Sequence, residues 1–232
     1  LSDSPRSQVE VNALVFAREP GALAEEAGRA VQSGYRTLKI KVASAAPEED
    51  IRRILAVRER VGAGVAIRID ANGAWDEETA LRVLRAVEAC DIEYVEEPVK
   101  GDLRAVGRRI NVPVAADPGS LEEAERVLRE RGADFLVLKP MALGGLRPAR
   151  KVAVAAIEAG LGVVITSILD TAVGVAGALH LAASLPGPER AHGLATVGLL
   201  EEAPVEGLEP PHDGRIRLPK GPGLGVRLRE RA

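Results

Sequence analysis

TLKIKV (residues 37–42) and VAIRID (residues 65–70) decide the fold of this chain. Both stretches are short and aliphatic, and polar residues do not alternate regularly along them, which is typical of strands covered on both faces in a parallel sheet. The segment between them, Glu48–Val61, has the spacing of an amphipathic helix. Together these stretches predict a strand–helix–strand unit with parallel strands.

The same alternation extends over most of the chain. The predicted strands are Val9–Phe16, Thr37–Val42, Val65–Asp70, Tyr94–Glu96, Val114–Asp117, Phe135–Leu138, Val163–Ser167 and Ala191–Thr196. The predicted helices are Ala22–Ser33, Glu48–Val61, Glu77–Cys90, Leu103–Ile110, Leu121–Arg131, Arg147–Ala159 and Ala172–Leu185. This order predicts an α/β fold, a TIM-like (β/α)7β barrel over residues 1–200, and an open doubly wound sheet is the alternative.

Residues 201–232 have a different composition from the rest of the chain. They are rich in Pro and Gly, which predicts an extended tail with a short strand at Arg215–Leu218. Two residues elsewhere, Asp76 and Ser120, are predicted helix N-caps because each directly precedes a helical stretch.

The composition excludes several classes of function. The chain has 232 residues, with 31 Lys and Arg against 34 Asp and Glu, so no basic excess points to a nucleic-acid partner. No apolar run approaches the roughly 20 residues of a membrane span, so no membrane partner is expected. The single cysteine, Cys90, fits a reducing compartment, and we expect a cytoplasmic protein.

Charged and polar residues stand where the predicted strands end. They are Lys41, Asp70, Glu96, Asp117, Lys139 and Ser167, one on each of six successive strands, with Lys39 two residues before Lys41. Residues at i and i+2 of a strand share a face, so the two lysines point the same way. The carboxyl ends of barrel strands are where active sites are built, so these residues are predicted to form one site.

The residue types in this row indicate metal-assisted proton chemistry. Three crowded carboxylates need a compensating cation, and oxygen ligands without His or Cys favour Mg²⁺ or Mn²⁺. Only six of the 31 basic residues are lysines, yet three lie at these strands. An amine can lose its proton near neutral pH, whereas a guanidinium cannot. The pattern therefore predicts removal of the proton α to a substrate carboxylate, with the enediolate charge stabilised by the cation.

These motifs resemble the barrel of the enolase superfamily, muconate-lactonizing subgroup. They are KIK (39–41), DANGAW (70–75), VEEP (95–98), AD (116–117) and LK (138–139). Within that subgroup, VLKP (137–140), TS (166–167) and HGLAT (192–196) are similar to the o-succinylbenzoate synthase family, actinobacterial type. That family dehydrates 2-succinyl-6-hydroxy-2,4-cyclohexadiene-1-carboxylate to o-succinylbenzoate in menaquinone biosynthesis.

The resemblance implies a role for each matched residue. Asp70, Glu96 and Asp117 would hold Mg²⁺, with Mn²⁺ as a substitute. Lys41 would take the α-proton and then protonate the leaving hydroxide, Lys39 would tune Lys41, and Lys139 would be a stabilising cation. The residues expected to contact or support a small-molecule carboxylate substrate are Arg68, Asn72, Ser167 and Gly193.

Two departures from the family pattern bear on activity. Pro118-Gly119-Ser120 stands where the family often has Asp-Glu-Ser. The resemblance implies an N-terminal α+β capping domain, which we expect to be missing from this sequence. We expect residues 201–232 to be the segment that would pack on such a domain, and this chain alone to be weakly active or inactive. The apolar surface that a missing cap exposes leaves room for a homo-oligomer.

The sequence leaves two other functions open. An N-acylamino-acid racemase of the same superfamily would use Lys41 and Lys139 as opposed bases. A barrel that binds metal or a partner without catalysis is the second alternative. A dipeptide epimerase is disfavoured because Leu194–Glu201 lacks an Asp-x-Asp pair. A Schiff-base aldolase acting through Lys139 would leave the three carboxylates unexplained.

Overall fold

The computed structural model describes residues 4–43, 46–199 and 205–229. The chain divides into two compact units. The first unit comprises Ala13–Asp117 and Arg126–Phe135, and the second comprises Leu1–Asn12, Pro118–Glu125 and Leu136–Ala232. The first four residues of the predicted tail, 201–204, lie outside the described residues.

Strands and helices alternate along the described chain as predicted. The strands are β1 (Gln8–Glu10), β2 (Ala13–Val15), β3 (Thr37–Lys41), β4 (Ala66–Asp70), β5 (Ile92–Glu96), β6 (Val114–Ala116), β7 (Phe135–Leu138), β8 (Gly162–Ile165), β9 (Val205–Glu206), β10 (Arg215–Arg217) and β11 (Arg227–Leu228). The α-helices are α1 (Pro20–Gln32), α2 (Pro47–Val61), α3 (Glu77–Ala86), α4 (Leu103–Gly107), α5 (Leu121–Glu130), α6 (Leu146–Glu158) and α7 (Ala172–Ala183). A parallel sheet of seven strands follows chain order from β2 to β8.

The strand register of the first unit aligns the polar strand ends. β3 pairs with β4 so that Lys41 lies opposite Asp70, and β4 pairs with β5 so that Asp70 lies opposite Glu96. Fully buried aliphatic residues directly precede these positions, such as Ile40 before Lys41 and Ile69 before Asp70. Burial of the aliphatic residues holds the strands together, and the register then brings the charged side chains into one row.

Two predicted helix caps are confirmed. The Asp76 carboxylate accepts a hydrogen bond from the Thr79 N–H at 2.7 Å, and the Ser120 hydroxyl accepts one from the Glu123 N–H at 3.2 Å. The helix predicted to reach Cys90 ends earlier, at Ala86, and is followed by a 3₁₀ turn over Glu88–Cys90.

The described part of the tail pairs with the start of the chain in the second unit. β10 lies antiparallel to β1, with Val9 opposite Ile216, which confirms the short strand predicted at Arg215–Leu218. β9 and β11 form a second antiparallel pair that the sequence did not predict. Packing of residues 201–232 on a capping domain stays a prediction.

Two strand predictions were wrong in detail. Val9–Phe16 is not one strand but two, because the Val11 N–H donates to Gly214 and the Asn12 N–H donates to His192 instead of continuing one ladder. Ala191–Thr196 is not a strand. Only His192 and Gly193 form isolated bridges there, each to a different neighbouring segment, so no continuous ladder develops.

No helix among residues 4–43, 46–199 and 205–229 is long and apolar enough to cross a membrane.

Candidate active site

The ammonium of Lys39 lies between two buried carboxylates of the first unit. Its Nζ is 2.7 Å from both Glu96 Oε1 and Oε2 and 2.9 Å from Asp70 Oδ2. The side chains of the two acids are at most 2% exposed, and that of Lys39 is 14% exposed. Burying these charges is tolerable only because each one is paired.

Lys41 is the more accessible of the two lysines. Its Nζ lies 2.5 Å from Asp70 Oδ2 and 3.0 Å from Asn72 Oδ1, and its side chain is 39% exposed. Asn72 adopts a left-handed backbone conformation with φ of 48°, and its N–H donates to Asp70 Oδ1 at 2.9 Å. The carboxylate of Asp70 therefore contacts the Lys41 amine and also the backbone of Asn72, whose side chain is the second partner of that amine.

The charges of this cluster shift the pKa values of its members. Burial acts to raise the pKa of Asp70, but Lys39 and Lys41 outweigh it and lower the pKa to about 2. Burial raises the pKa of Glu96 to about 7 against the pull of Lys39, and the charges of Asp70 and Asp117 add to this rise. Burial acts to lower the pKa of Lys39, but Glu96 and Asp70 outweigh it, so the pKa of this amine is raised.

Asp117 directly follows β6, and the side chain of Glu97 binds its backbone. The sequence interpretation assigned no role to Glu97. The Asp117 N–H donates to Glu97 Oε1 at 2.8 Å. Glu97 has a φ of 41°, a conformation unusual for a residue with a side chain, and its own N–H donates to the Ala115 carbonyl. The doubled glutamate before Pro98 was the available sequence signal for this contact.

Asp70, Glu96 and Asp117 are the residues that could hold a divalent cation. The ammonium groups of Lys39 and Lys41 contact Asp70 and Glu96, and the charge of Asp117 acts on Glu96. Such an oxygen-only set suits Mg²⁺. Within residues 4–43, 46–199 and 205–229, no group of three or more acid, His or Cys side chains is arranged so that it could hold a metal ion. In this arrangement Glu96 and Asp70 accept hydrogen bonds from Lys39 and Lys41.

Arg68 lies two residues before Asp70 and is buried. Its Nε donates to Glu93 Oε2 at 2.7 Å, and its guanidinium lies 5.0 Å from the centre of the Tyr94 ring. Tyr94 in turn packs against Phe135 with 4.9 Å between the ring centres. A register shift after Ile67 accompanies this arrangement. These contacts support a structural role for Arg68, and its contact with substrate stays a prediction.

Glu93→Gln is expected to lower the free energy of unfolding by about 2–3 kcal/mol, since it leaves the buried guanidinium opposite a neutral amide. The loss should fall short of that for a fully enclosed pair because the Glu93 side chain is 23% exposed. Urea unfolding followed by circular dichroism measures it, with exposed Glu59→Gln as the control. An equal effect of the two substitutions would refute the role of the pair.

The remaining predicted site residues belong to the second unit. Lys139 directly follows β7 and is half-buried. The Ser167 hydroxyl lies 2.7 Å from the Thr196 hydroxyl, a partner that the sequence interpretation missed although Thr196 lies in the quoted HGLAT motif. Gly193 donates its N–H to Ile165, and its carbonyl accepts from the Thr166 hydroxyl.

Gly193→Ala is expected to destabilise the protein by about 1–3 kcal/mol through overpacking. An added Cβ would lie 3.0 Å from the Thr166 Cβ and closer still to its hydroxyl oxygen. Gly198→Ala is the matched control, because a Cβ there meets no atom within 4 Å. Thermal unfolding of both variants tests the expectation, which fails if Gly193→Ala melts with the parent.

Comparison with known proteins places these features in context. Residues 22–232 match the family model described as Enolase C-terminal domain-like. The o-succinylbenzoate synthase of Thermobifida fusca (strain YX) is 45% identical over 203 residues, which cover 84% of this chain and 62% of that protein.

Two solved structures are similar over nearly the whole chain. The N-succinyl Arg/Lys racemase from Bacillus cereus ATCC 14579 superposes with a TM-score of 0.88 and 29% identity, covering 98% of this chain and 62% of that one. The dipeptide epimerase from Cytophaga hutchinsonii, complexed with Mg and dipeptide D-Ala-L-Val, has a TM-score of 0.88 and 27% identity, covering 96% and 62%. The predicted barrel fold is confirmed, and the chain spans less than two thirds of the length of these relatives.

Proposed function

Since the chain belongs to the enolase C-terminal domain-like family, and so to the enolase superfamily, we propose that it is the catalytic barrel of a dehydratase similar to o-succinylbenzoate synthase. The observation that carries this proposal is the convergence of Lys39 and Lys41 on Asp70, beside the buried Glu96. The 45% identity to the Thermobifida fusca enzyme favours dehydration over the other reactions of the superfamily. The reaction would belong to menaquinone biosynthesis, in the cytoplasm.

Lys41 is the proposed general base. Its side chain is more exposed than that of Lys39, so it is the lysine of the pair that a substrate can approach more easily. In its neutral form it would take the proton from C1 of the cyclohexadiene carboxylate. The same proton would then be returned to the hydroxyl leaving from C6, so that one water and the aromatic product result. Asp70 and Asn72 fix the amine for both steps.

The other residues would bind and neutralise the substrate. Asp70, Glu96 and Asp117 would hold Mg²⁺, or Mn²⁺ in its place, and this ion would supply positive charge to the substrate carboxylate. Lys39 stays protonated because its carboxylate partners raise its pKa, so it adds a fixed positive charge beside Lys41. Lys139 would be a second stabilising cation, and Ser167 and Gly193 would contact the succinyl chain.

Racemisation of N-acylamino acids is the second candidate. It is favoured by the fold similarity to the N-succinyl Arg/Lys racemase. That reaction would use Lys41 and Lys139 as two bases and would not expel water. Both reactions begin with removal of a proton α to a carboxylate, so the site chemistry described above serves either one.

Purified protein incubated with Mg²⁺ distinguishes the two. Dehydration is followed by the absorbance of o-succinylbenzoate, and racemisation by deuterium exchange at Cα of N-succinylamino acids. The 232-residue chain should be tested alone and extended at its N-terminus by the preceding segment of the Thermobifida fusca enzyme. Faster dehydration supports the first proposal and faster exchange supports the second. If neither form of the protein catalyses either reaction, both are wrong.

A further inference from the structure

Helix α2 contains a buried ion pair for which the proposed mechanism has no use. Asp50 and Arg53 are 0% and 1% exposed, and Arg53 Nη1 donates to Asp50 Oδ1 at 3.2 Å. Two charges removed from water are costly to keep unless they make further specific contacts. The contacts of this pair lead to the turns that follow β2 and β3.

Asp50 fixes the backbone immediately after the proposed base. Its Oδ2 accepts a hydrogen bond from the Ala43 N–H at 2.8 Å, and Ala43 comes two residues after Lys41. Ala43 has a φ of 62°, in the left-handed region where a residue with a Cβ is strained. The buried carboxylate therefore stabilises a backbone conformation that alanine does not favour by itself.

Arg53 fixes the turn on the neighbouring strand. Its Nη2 donates to the Ala17 carbonyl at 3.1 Å, while the Ala17 and Phe16 N–H groups donate to Glu26 Oε2 at 2.9 and 3.1 Å. In the turn after β2, Glu26 thus binds two backbone N–H groups and Arg53 binds a backbone carbonyl. β2 is the strand next to β3 in the sheet, and the two strands are parallel, so the turn after β2 lies at the same end of the sheet as the turn after Lys41.

The titration of Asp50 agrees with these contacts. Burial raises the pKa of Asp50, and the Ala43 N–H and Arg53 oppose this rise. Trp75 is buried, is the only tryptophan of the chain and follows Asn72 by three residues, but its indole nitrogen has no hydrogen-bond partner among the described residues. The contacts of the pair therefore reach two turns, those after β2 and β3.

We propose that Asp50 and Arg53 are positioning residues that clamp the turns after β2 and β3 and thereby hold Lys41 at its working distance from Asp70 and Asn72. This proposal rests on the proposed function only in naming Lys41 as the base. Misplacing a catalytic group by about 1 Å can reduce turnover by about 10²-fold, so loosening the clamp should reduce kcat with little effect on KM.

Four variants test the clamp. Asp50→Ala removes the acceptor of the Ala43 N–H, whereas Asp50→Asn retains an oxygen there and should be the milder substitution. The double variant Asp50→Asn with Arg53→Met contains no unpaired buried charge, so it keeps the test valid if a single variant fails to fold. Glu49→Gln is the matched control, because Glu49 and Arg52 form an exposed pair with the same spacing in the same helix.

Two readouts do not depend on turnover. Acrylamide quenching of Trp75 fluorescence reports on the turn after β4, and mass spectrometry of acetylation by acetic anhydride compares Lys41 with exposed Lys151. In folded Asp50→Ala and double variants we expect stronger quenching, faster acetylation of Lys41 relative to Lys151, and kcat reduced about 10²-fold with KM nearly unchanged. Glu49→Gln should match the parent in all three measurements.

The results separate this inference from the proposed function. A folded variant with parental quenching and parental Lys41 acetylation overturns the clamp, whatever its activity. A loosened turn with unchanged kcat overturns the positioning role. If the parent itself neither dehydrates nor racemises its substrates, the proposed function is wrong, and quenching and acetylation still decide whether the pair holds the turns.

Discussion

Lys41→Ala is expected to lower turnover by about 10³-fold, the effect typical of removing a positioned general base. Such a loss corresponds to about 4 kcal/mol of transition-state stabilisation. The protein should remain folded, because the Lys41 side chain is 39% exposed and Asp70 retains Lys39 as a partner. Steady-state assays of dehydration, with deuterium exchange at the α-carbon as a second measure, test the expectation.

The control for this experiment is Lys151→Ala, which removes an exposed lysine from α6. It should leave kcat and the thermal midpoint at parental values. Exchange of the α-proton is the more informative measurement, because it reports abstraction even when the hydroxide does not leave. Parental exchange in Lys41→Ala would show that another group takes the proton and would remove Lys41 from the mechanism.

Asp70→Asn is expected to have the second largest effect, since one carboxylate serves three partners. It contacts the amines of Lys39 and Lys41 and accepts the Asn72 N–H. Loss of a residue that only orients a metal ligand typically lowers metal affinity by about 10- to 100-fold. Loss of a ligand itself should cost at least as much, so we expect Asp70→Asn to lower the Mg²⁺ affinity by at least about 10²-fold and to lower turnover as well. Calorimetric titration with Mg²⁺, or Mn²⁺ titration followed by electron paramagnetic resonance, measures the affinity.

Glu78→Gln provides the matched loss of one negative charge, because Glu78 is exposed on α3. A parental Mg²⁺ affinity is expected for it, which separates local coordination from the change in net charge. Turnover in Asp70→Asn that recovers fully at high Mg²⁺ would assign the carboxylate to metal binding alone. Unchanged affinity in Asp70→Asn would contradict the proposed metal site.

Much of the catalytic row was predictable because it depends on local rules. The i, i+2 spacing of Lys39 and Lys41 fixes which face of a strand they share, and parallel pairing places strand ends side by side. Those two rules are sufficient to predict that Lys41 and Asp70 lie near each other, as the register shows. Shared use of one Asp70 oxygen by both amines required the distances themselves.

The contacts that support the row were not predictable in the same way. Arg68 meets Glu93 where the register of β4 and β5 shifts, and period-two reasoning cannot locate such a shift. The Asp50–Arg53 pair looks like an ordinary i, i+3 surface pair in sequence, and only its burial distinguishes it from Glu49–Arg52 beside it. The burial of a helix face depends on which other elements pack against it. The local sequence of the helix does not specify those elements.

The pairing of β1 with β10 has a consequence for how the protein is made. Their side chains also interact, through an ion pair of Arg215 with Glu10 that joins residues 205 positions apart. β1 is translated before β10 and stays without this partner while the 205 positions from Glu10 to Arg215 are synthesised. During that interval its edge is open to pairing with other nascent chains, so we expect the second unit to mature last and to depend most on chaperones.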